Sequence, residues 1–479
     1  MKAVKLSGLE PACVFAYFEK LCSIPHGSFN TKAISDYFVA FAKEHGLQYI
    51  QDKHNNVILF KAASAGYEDH PPIILQGHMD MVCEKDSDST IDMKTDPLDV
   101  THDGTYVFAR GTSLGGDDCA AVAMILALLE DDSIPHPPLE VVLTSDEEPG
   151  MLGVTEMDVS MLKGRRMLNL DTLNDTIFTA GCAGAAQVSL EMPVEKAPCT
   201  HSCVRIVLDQ LHGGHSGSMI KYHYANANKV MGELLARLNR KMPLRLISLS
   251  GGGTSNVIPH SCEAVVATDS SLEKIRALCD AFAAELKQFY DEPALTIRAE
   301  AVPQADQAYS TASSEKILDL LEKVPNGVLT WNPDFEGLPQ TSLNLGIAET
   351  RNDVFFLHFH LRSSVNQERD TLRVRMQDIA RKYGCSHSEF GLHAAWEYRE
   401  DSALRKTMIQ IYERCFQKSP EVKMLHVGLE CCVLSEKLPG LDCVSTGPTA
   451  LNVHSSRERL DIASMERIWH FLLELLKEL

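Results

Sequence analysis

The 479-residue chain contains no run of about 18 uninterrupted apolar residues, which excludes an ordinary membrane-spanning helix. Its first 22 residues place Lys2, Lys5, Glu10, Glu19 and Lys20 among apolar positions. They read as an amphipathic helix of a mature protein, Met1 to Cys22, and not as a secretory signal. Fourteen cysteines include no Cys-x-x-Cys pair and are spread through apolar segments of a chain too large to need disulfide staples. Free thiols in a reducing cytosol are the expectation. Positive charge is the scarce sign, with 45 Lys and Arg against 65 Asp and Glu and a formal net charge of −20. Such a surface repels phosphate backbones, so neither nucleic acid nor an anionic membrane is expected as a partner.

What is present is ordinary globular composition, 44% hydrophobic and 23% charged, at a length that predicts two or three folding units. Val57 to Ala62, Ile73 to Gly77, Leu139 to Thr144 and Met167 to Asp171 are short β-rich or apolar runs, and Asp117 to Glu130 is Ala/Leu-rich and helical. This alternation predicts an α/β catalytic domain with a mixed, largely parallel sheet flanked by helices. From about Ala186 the texture changes. Strands at Val204 to Leu208, Arg245 to Leu249 and Ala264 to Thr268 accompany helices at Asn226 to Met242 and Ser271 to Asp291. A similar order recurs with helices near Glu315 to Glu322 and Glu368 to Lys382 around a strand at Val354 to Leu361. Two successive units of helices on an antiparallel sheet fit this, although no sequence repeat proves duplication. After Trp396 the α/β texture returns and ends in a helix with the stripe Ile462, Met465, Trp469, Leu472 and Leu476. The expected domains are 1–186 with 398–479, interrupted by an inserted α+β lid domain, 187–397.

Five segments place Asp, Glu or His at the ends of apolar runs, where open α/β sheets bind ligands. Gly77-His78-Met79-Asp80 puts two polar side chains on one side of an extended chain, and a strand-end turn is the plain alternative. Asp117 and Asp118 open a helix, where carboxylates also serve as caps. Asp146, Glu147 and Glu148 follow a strand, either as a solvated loop or as anions gathered round a cation. Asp171 ends Met167 to Leu170, and His454 follows Gly447-Pro448 in a loop. Together they supply two His and three or four carboxylates, a mixture suited to hard N/O ligation of two zinc ions. Two such ions lower the pKa of a shared water and polarise a carbonyl, which is amide-hydrolysis chemistry.

These motifs resemble those of the co-catalytic zinc peptidases of the aminoacylase and carboxypeptidase-G type, and more closely the Xaa-His dipeptidases. The resemblance runs in order through Ile24 to Ser28, Gln76 to Val82, Arg110 to Asp118, Asp146 to Glu148, Leu168 to Thr172, Gly213 to Gly217, Asn226 to Lys229, His426 to Glu430 and Gly447 to His454. It implies that Asp117 bridges two Zn²⁺, with Mn²⁺ or Co²⁺ as possible substitutes. His78 and Asp171 would complete one site, and Glu148 and His454 the other. It further implies Glu147 as general base, Asp80 behind His78 as a group that orients it, and a cis peptide between Asp117 and Asp118. His215, in Gly213 to Gly217, would stabilise the oxyanion, often in the partner subunit of a homodimer formed through the inserted domain. Arg362 and Asn256 are the expected clamps on the substrate carboxylate, and Glu430 the anion for its free amino group, with an ordinary surface ion pair the plain alternative for Arg362 and Glu430.

The implied activity is hydrolysis of unblocked dipeptides, including β-alanyl-histidine, in the cytoplasm. The alternatives are an N-acyl-amino-acid deacylase on the same metal site and a non-catalytic metal- or peptide-binding homologue. Glu147 argues against the latter, because a pure binder needs no proton shuttle. Cys83, Cys119, Cys431 and Cys432 lie close in sequence to these residues and read as buried small hydrophobes.

Overall fold

The computed structural model describes residues 5–479, which divide into two units. The first runs to Cys182 and resumes at Tyr398–Met424 and Leu429–Leu479; the second comprises Ala183–Glu397 and Leu425–Gly428. The expected amino-terminal helix is shorter than its sequence suggests, and its first four residues lie outside the described residues. Gly8 turns the chain at φ 91°, Pro11 has no amide hydrogen to give a helix interior, and the helix runs Ala12–Cys22. Val14, Phe15, Phe18, Leu21 and Cys22 form its buried stripe.

The first unit is built on an eight-stranded mixed sheet, ordered Gln48–Gln51, Val57–Lys61, Leu139–Thr144, Ile73–His78, Arg166–Asn169, Asp442–Ser445, Ile177–Cys182 and Glu421–Leu425. Its four central strands are parallel. The register sets His78 opposite Thr144, and both Gln76 and Ser445 opposite Asn169, so their carboxyl ends share one edge of the sheet. Parallel strands covered on both faces need continuous apolar runs, and Ile73–His78 and Leu139–Thr144 are buried at every position. The helix Gly116–Glu130 is buried from Gly116 to Leu129, as its lack of a polar face requires. Lys61, itself buried, donates to the carbonyls of Leu128, Leu129 and Asp131, satisfying the end of that helix.

The second unit is built on an antiparallel sheet of nine strands. The two expected successive groups are joined where Leu244–Gly251 pairs with Pro339–Arg351. Along Val354–Ser363, Phe355, Leu357, Phe359 and Leu361 enter a core shared with the helices Ala227–Lys241, Leu272–Phe289, Thr311–Lys323 and Asn366–Tyr383. Strand alternation sets Phe356, His358, His360 and Arg362 on the opposite face. Among the described residues no helix is long and apolar enough to cross a membrane.

Candidate metal centre

The parallel strands deliver the expected ligands to one place in the first unit. His78 ends its strand, Glu147 and Glu148 follow Leu139–Thr144, Asp171 follows Arg166–Asn169, and Asp117 sits at the start of the buried helix. His454 arrives from the loop after the short strand Ala450–Leu451. Asp117 lies between the two histidines, its Oδ1 3.0 Å from His78 Nε2 and its Oδ2 3.3 Å from His454 Nε2. His454 Nε2 is also 3.0 Å from Glu148 Oε1, and His78 Nε2 is 4.0 Å from Asp171 Oδ1. Three sets of ligand atoms each lie within 4.8 Å of one another: His78, Asp118 and Asp171; His78, Glu147 and Glu148; and Asp117, Glu148 and His454. The Asp117–Asp118 peptide is cis.

The chemistry of this donor set calls for cations. His78 Nδ1 donates to the main-chain oxygen of Asp80 at 3.0 Å, which leaves the Nε2 lone pair aimed at an Asp117 oxygen. Two lone pairs at that separation repel unless a proton or a metal ion stands between them. Burial alone would keep the His78 ring neutral, yet the contacts with Asp117 and Asp80 and the charge of Asp171 push it well above its ordinary range. Contacts with Asp117 and Glu148 likewise raise His454 to about 10. Burial pushes Asp118, Asp171 and Glu147 well up against the opposing charge of His78, and neighbouring carboxylates push them further. Asp117 goes the other way, held low by both histidines despite its burial. Imidazole nitrogens among closely set carboxylate oxygens are a donor set for borderline or hard divalent ions, and the residues fit two of them.

Asp80, 0% exposed, does more than stand behind His78. Its carboxylate is 3.6 Å from His78 Nδ1, while Oδ1 accepts from the amide of Glu147 at 2.9 Å and Oδ2 from the amide of Glu148 at 3.4 Å and the hydroxyl of Ser28 at 2.8 Å. One side chain therefore ties the histidine strand to the Glu147-Glu148 turn. Asp146 and His454 adopt left-handed backbone, φ 50° and 58°, a conformation costing about 1–3 kcal/mol in a non-glycine residue. Glu430, 1% exposed, accepts through Oε2 from Gln76 Nε2 and Thr144 Oγ1. Burial raises it to about 7, opposed by the charge of His78 and the Thr144 bond and assisted by the charge of Asp80.

Two supporting acids escaped the sequence reading. Asp118, legible only as a helix cap, is buried and accepts from the amide of His78 at 3.2 Å. A Cβ on Gly77 would lie 2.6 Å from the same oxygen, so the glycine is what admits this contact. Glu458 stands in Arg457-Glu458-Arg459, which looks like solvated surface, yet it is 3% exposed. Its Oε2 accepts from the amides of Leu114 and Gly115 at 2.7 and 3.1 Å, and its Oε1 from those of Gly116 and Asp117 at 2.8 and 3.3 Å. It holds the main chain that presents Asp117. Of the four cysteines, Cys119, Cys431 and Cys432 are buried as expected, but Cys83 is exposed, because it lies in the irregular segment beyond the sheet edge.

His215, Asn256 and Arg362 belong to the second unit. Arg362 is buried, so the plain alternative of a surface ion pair is excluded for it, as it is for Glu430. Four histidines feel its charge: burial and then the Arg362 charge lower His215 to about 4, His426 to about 3 and His360 to about 2, and lower His393 to about 4 against the bond its ring donates to the Ala394 carbonyl. Asn256 is exposed, and its main-chain oxygen accepts from the amide of Ser216 at 2.8 Å.

The sequence profile of Peptidase family M20/M25/M40 matches residues 74–478. Over 480 residues the chain is 32% identical to the cytosol non-specific dipeptidase of Escherichia coli (strain K12), covering 99% of each. It superposes on the crystal structure of aminoacylhistidine dipeptidase from Vibrio alginolyticus with a TM-score of 0.91 at 32% identity, covering 99% of this chain and 98% of that one. The aminopeptidase PepT of Bacillus cereus ATCC 10987 is alike in fold, with a TM-score of 0.62 at 12% identity over 98% of this chain and 99% of that one.

Proposed function

We propose, from the premise that this chain belongs to peptidase family M20/M25/M40, that it is a metal-dependent dipeptidase acting on unblocked dipeptides, β-alanyl-histidine among them. The observation that carries the reading is Asp117, whose two oxygens face two imidazoles from opposite ends, with Glu147 and Glu148 on a turn anchored beside it. His78, Asp117 and Asp171 would hold one cation and Asp117, Glu148 and His454 the other, with zinc the ion this donor set suits and Mn²⁺ or Co²⁺ its substitutes. Such a pair, when bound, acidifies a shared water and polarises the scissile carbonyl.

The remaining work falls to the chain. Glu147 takes a proton from the attacking water and returns it to the leaving amine, and burial among anions raises its proton affinity for that purpose. Asp80 fixes the turn on which Glu147 rides. Glu430, buried and held by Gln76 and Thr144, receives the substrate ammonium, while Arg362 and Asn256 receive its carboxylate. His215 donates to the carbonyl oxygen as negative charge develops on it. The cytosol, and a homodimer formed through 187–397, complete the reading.

Hydrolysis of a small dipeptide panel, measured before and after chelation, tests it, with Glu147→Gln compared after zinc is restored. Chelation should abolish turnover and zinc should restore it. The Gln variant should bind metal normally while kcat falls about 10²–10⁴-fold. A fully metal-loaded wild type that cleaves no dipeptide refutes the proposal.

A further inference from the structure

His215 sits on a segment with little regular structure. Gly214–His215 makes a two-residue pairing with Val257–Ile258, the turn Ile220–Tyr222 follows, and the helix Ala227–Lys241 begins only beyond that. Gly213 and Gly214 have φ 64° and 117°, and Cβ atoms there would lie 2.9 Å from the Ile258 oxygen and 2.5 Å from Met219 Sδ. The ring is nonetheless fixed in one tautomer. The amide of Ser218 donates to His215 Nδ1 at 3.2 Å, so the ring proton resides on Nε2. A neutral imidazole with an Nε2–H is the form that can donate to a developing oxyanion.

What holds this segment in place is a carboxylate outside it. Glu292, 1% exposed, lies in the turn after the helix Leu272–Phe289. Its Oε2 accepts from the amide of His212 at 2.9 Å and from His212 Nδ1 at 2.8 Å, and its Oε1 accepts from the amide of Ala225 at 3.2 Å. The two oxygens therefore grip the two ends of the 212–225 segment and close its neck. The His212 ring is stacked on Tyr224, centroids 4.6 Å apart and planes 13° apart, which joins the same two ends a second time. Beside Tyr224, His223 packs on Phe289 and Tyr290, centroids 5.8 and 5.5 Å away, at the end of the helix that leads to Glu292. A buried carboxylate with three donors, all from one loop, is a dedicated anchor: none of its bonds serves the sheet.

We infer that Glu292 is a positioning residue for the reaction, clamping the neck of the 212–225 segment so that His215 presents Nε2–H in a single orientation. The inference rests on the proposed dipeptidase reading. Its mechanism is loss of alignment: the clamp contributes to a donor used in the transition state, so its removal lowers kcat and leaves KM nearly unchanged.

The test is a double-mutant cycle on the metal-loaded enzyme with a dipeptide substrate. His215→Asn should lower kcat about 10²–10³-fold. Glu292→Gln, which puts an amide NH₂ against at least one of the three donors, should lower kcat about ten-fold in the wild-type background and have no further effect in the His215→Asn background. Tyr224→Leu removes the stacked ring without touching the carboxylate and should show the same signature to a smaller degree. It decides the matter if Glu292→Gln does not fold. Imidazole ¹⁵N shifts, with His215 assigned by its loss in His215→Asn, should report the Nε2–H tautomer in wild type and an averaged signal in Glu292→Gln. A folded Glu292→Gln enzyme with unchanged kcat and an unchanged His215 signal overturns the inference, as does a loss of equal size in both backgrounds. If wild type cleaves no dipeptide, the functional reading fails, and the ¹⁵N signals still decide whether Glu292 positions His215.

Discussion

Glu458→Gln replaces one oxygen of a buried carboxylate with an NH₂ group and changes nothing else in shape. Whichever oxygen is lost, two of the four amides at Leu114 to Asp117 then face a donor in place of an acceptor. A hydrogen bond to a charged group contributes about 1.5–3 kcal/mol, so two of them amount to roughly 3–6 kcal/mol. The carboxylate is also repelled by Asp117, which with burial raises its proton affinity, and a neutral Gln relieves that repulsion. The lower end, about 3 kcal/mol, is therefore expected. For a folding unit of this size that lowers the unfolding temperature of the first unit by roughly 6–12 °C. Because the freed main chain carries Asp117, affinity for the divalent ion should fall about 10–100-fold, as when other groups supporting metal ligands are removed. Scanning calorimetry of the chelated protein reads the first effect and isothermal titration with zinc the second. If both the transition temperature and the zinc affinity match wild type, Glu458 does not hold the Asp117 main chain and the account of the centre is wrong at its base.

Lowering pH from 7 to 5 should destabilise the second unit. The folded-state pKa values of His215, His360, His393 and His426 are depressed below the ordinary 6.5, so their contribution is present above about pH 6.5 and is lost as pH falls towards 4. Each adds up to about 1.4 kcal/mol per pH unit; His393→Asn should flatten a plot of urea midpoint against pH, and a plot already flat in wild type contradicts the prediction. Gly77→Ala drives a Cβ against Asp118 Oδ2 and should cost about 1–3 kcal/mol, read by urea unfolding; a neutral result would mean Asp118 is free to move. Glu430→Gln should raise KM for free-amino dipeptides and leave N-acyl amino acids unaffected, and equal loss on both would remove Glu430 as the ammonium anchor. Iodoacetamide should modify Cys13 and Cys83 well ahead of the buried thiols, as peptide mapping of the folded protein would show.

The fold of the first unit was legible because its strands are short apolar runs ending in chemistry. The strand Leu139–Thr144 has the same bounds as its apolar run, and His78, Glu147, Glu148 and Asp171 all stand at or just beyond the ends of such runs. The second unit was legible in its helices, whose apolar stripes repeat along the chain, but not in the joining of its strands into one sheet. That depends on the pairing of Ser250 with Glu349, which no local pattern announces. Groups that bind chiefly main chain were invisible. Glu458 accepts only from amides, and Glu292 from two amides and the His212 ring; every residue but proline possesses an amide N–H, so little in the sequence marks either acid. The same holds for the 425–428 excursion, whose four residues sit with the second unit while both flanks belong to the first.

The strand Asp442–Ser445 lies inside the first unit's sheet, between Arg166–Asn169 and Ile177–Cys182, although the whole of the second unit is translated between those neighbours and it. A nascent chain that has completed Ala183–Glu397 still carries a slot in its principal sheet and has one of the two imidazoles that flank Asp117. Ribosomal output therefore reaches a competent centre only once Asp442–Ser445 and His454 have been made, and chains released before that present unpaired strand edges, which makes them clients for chaperones and proteases and not weak enzymes.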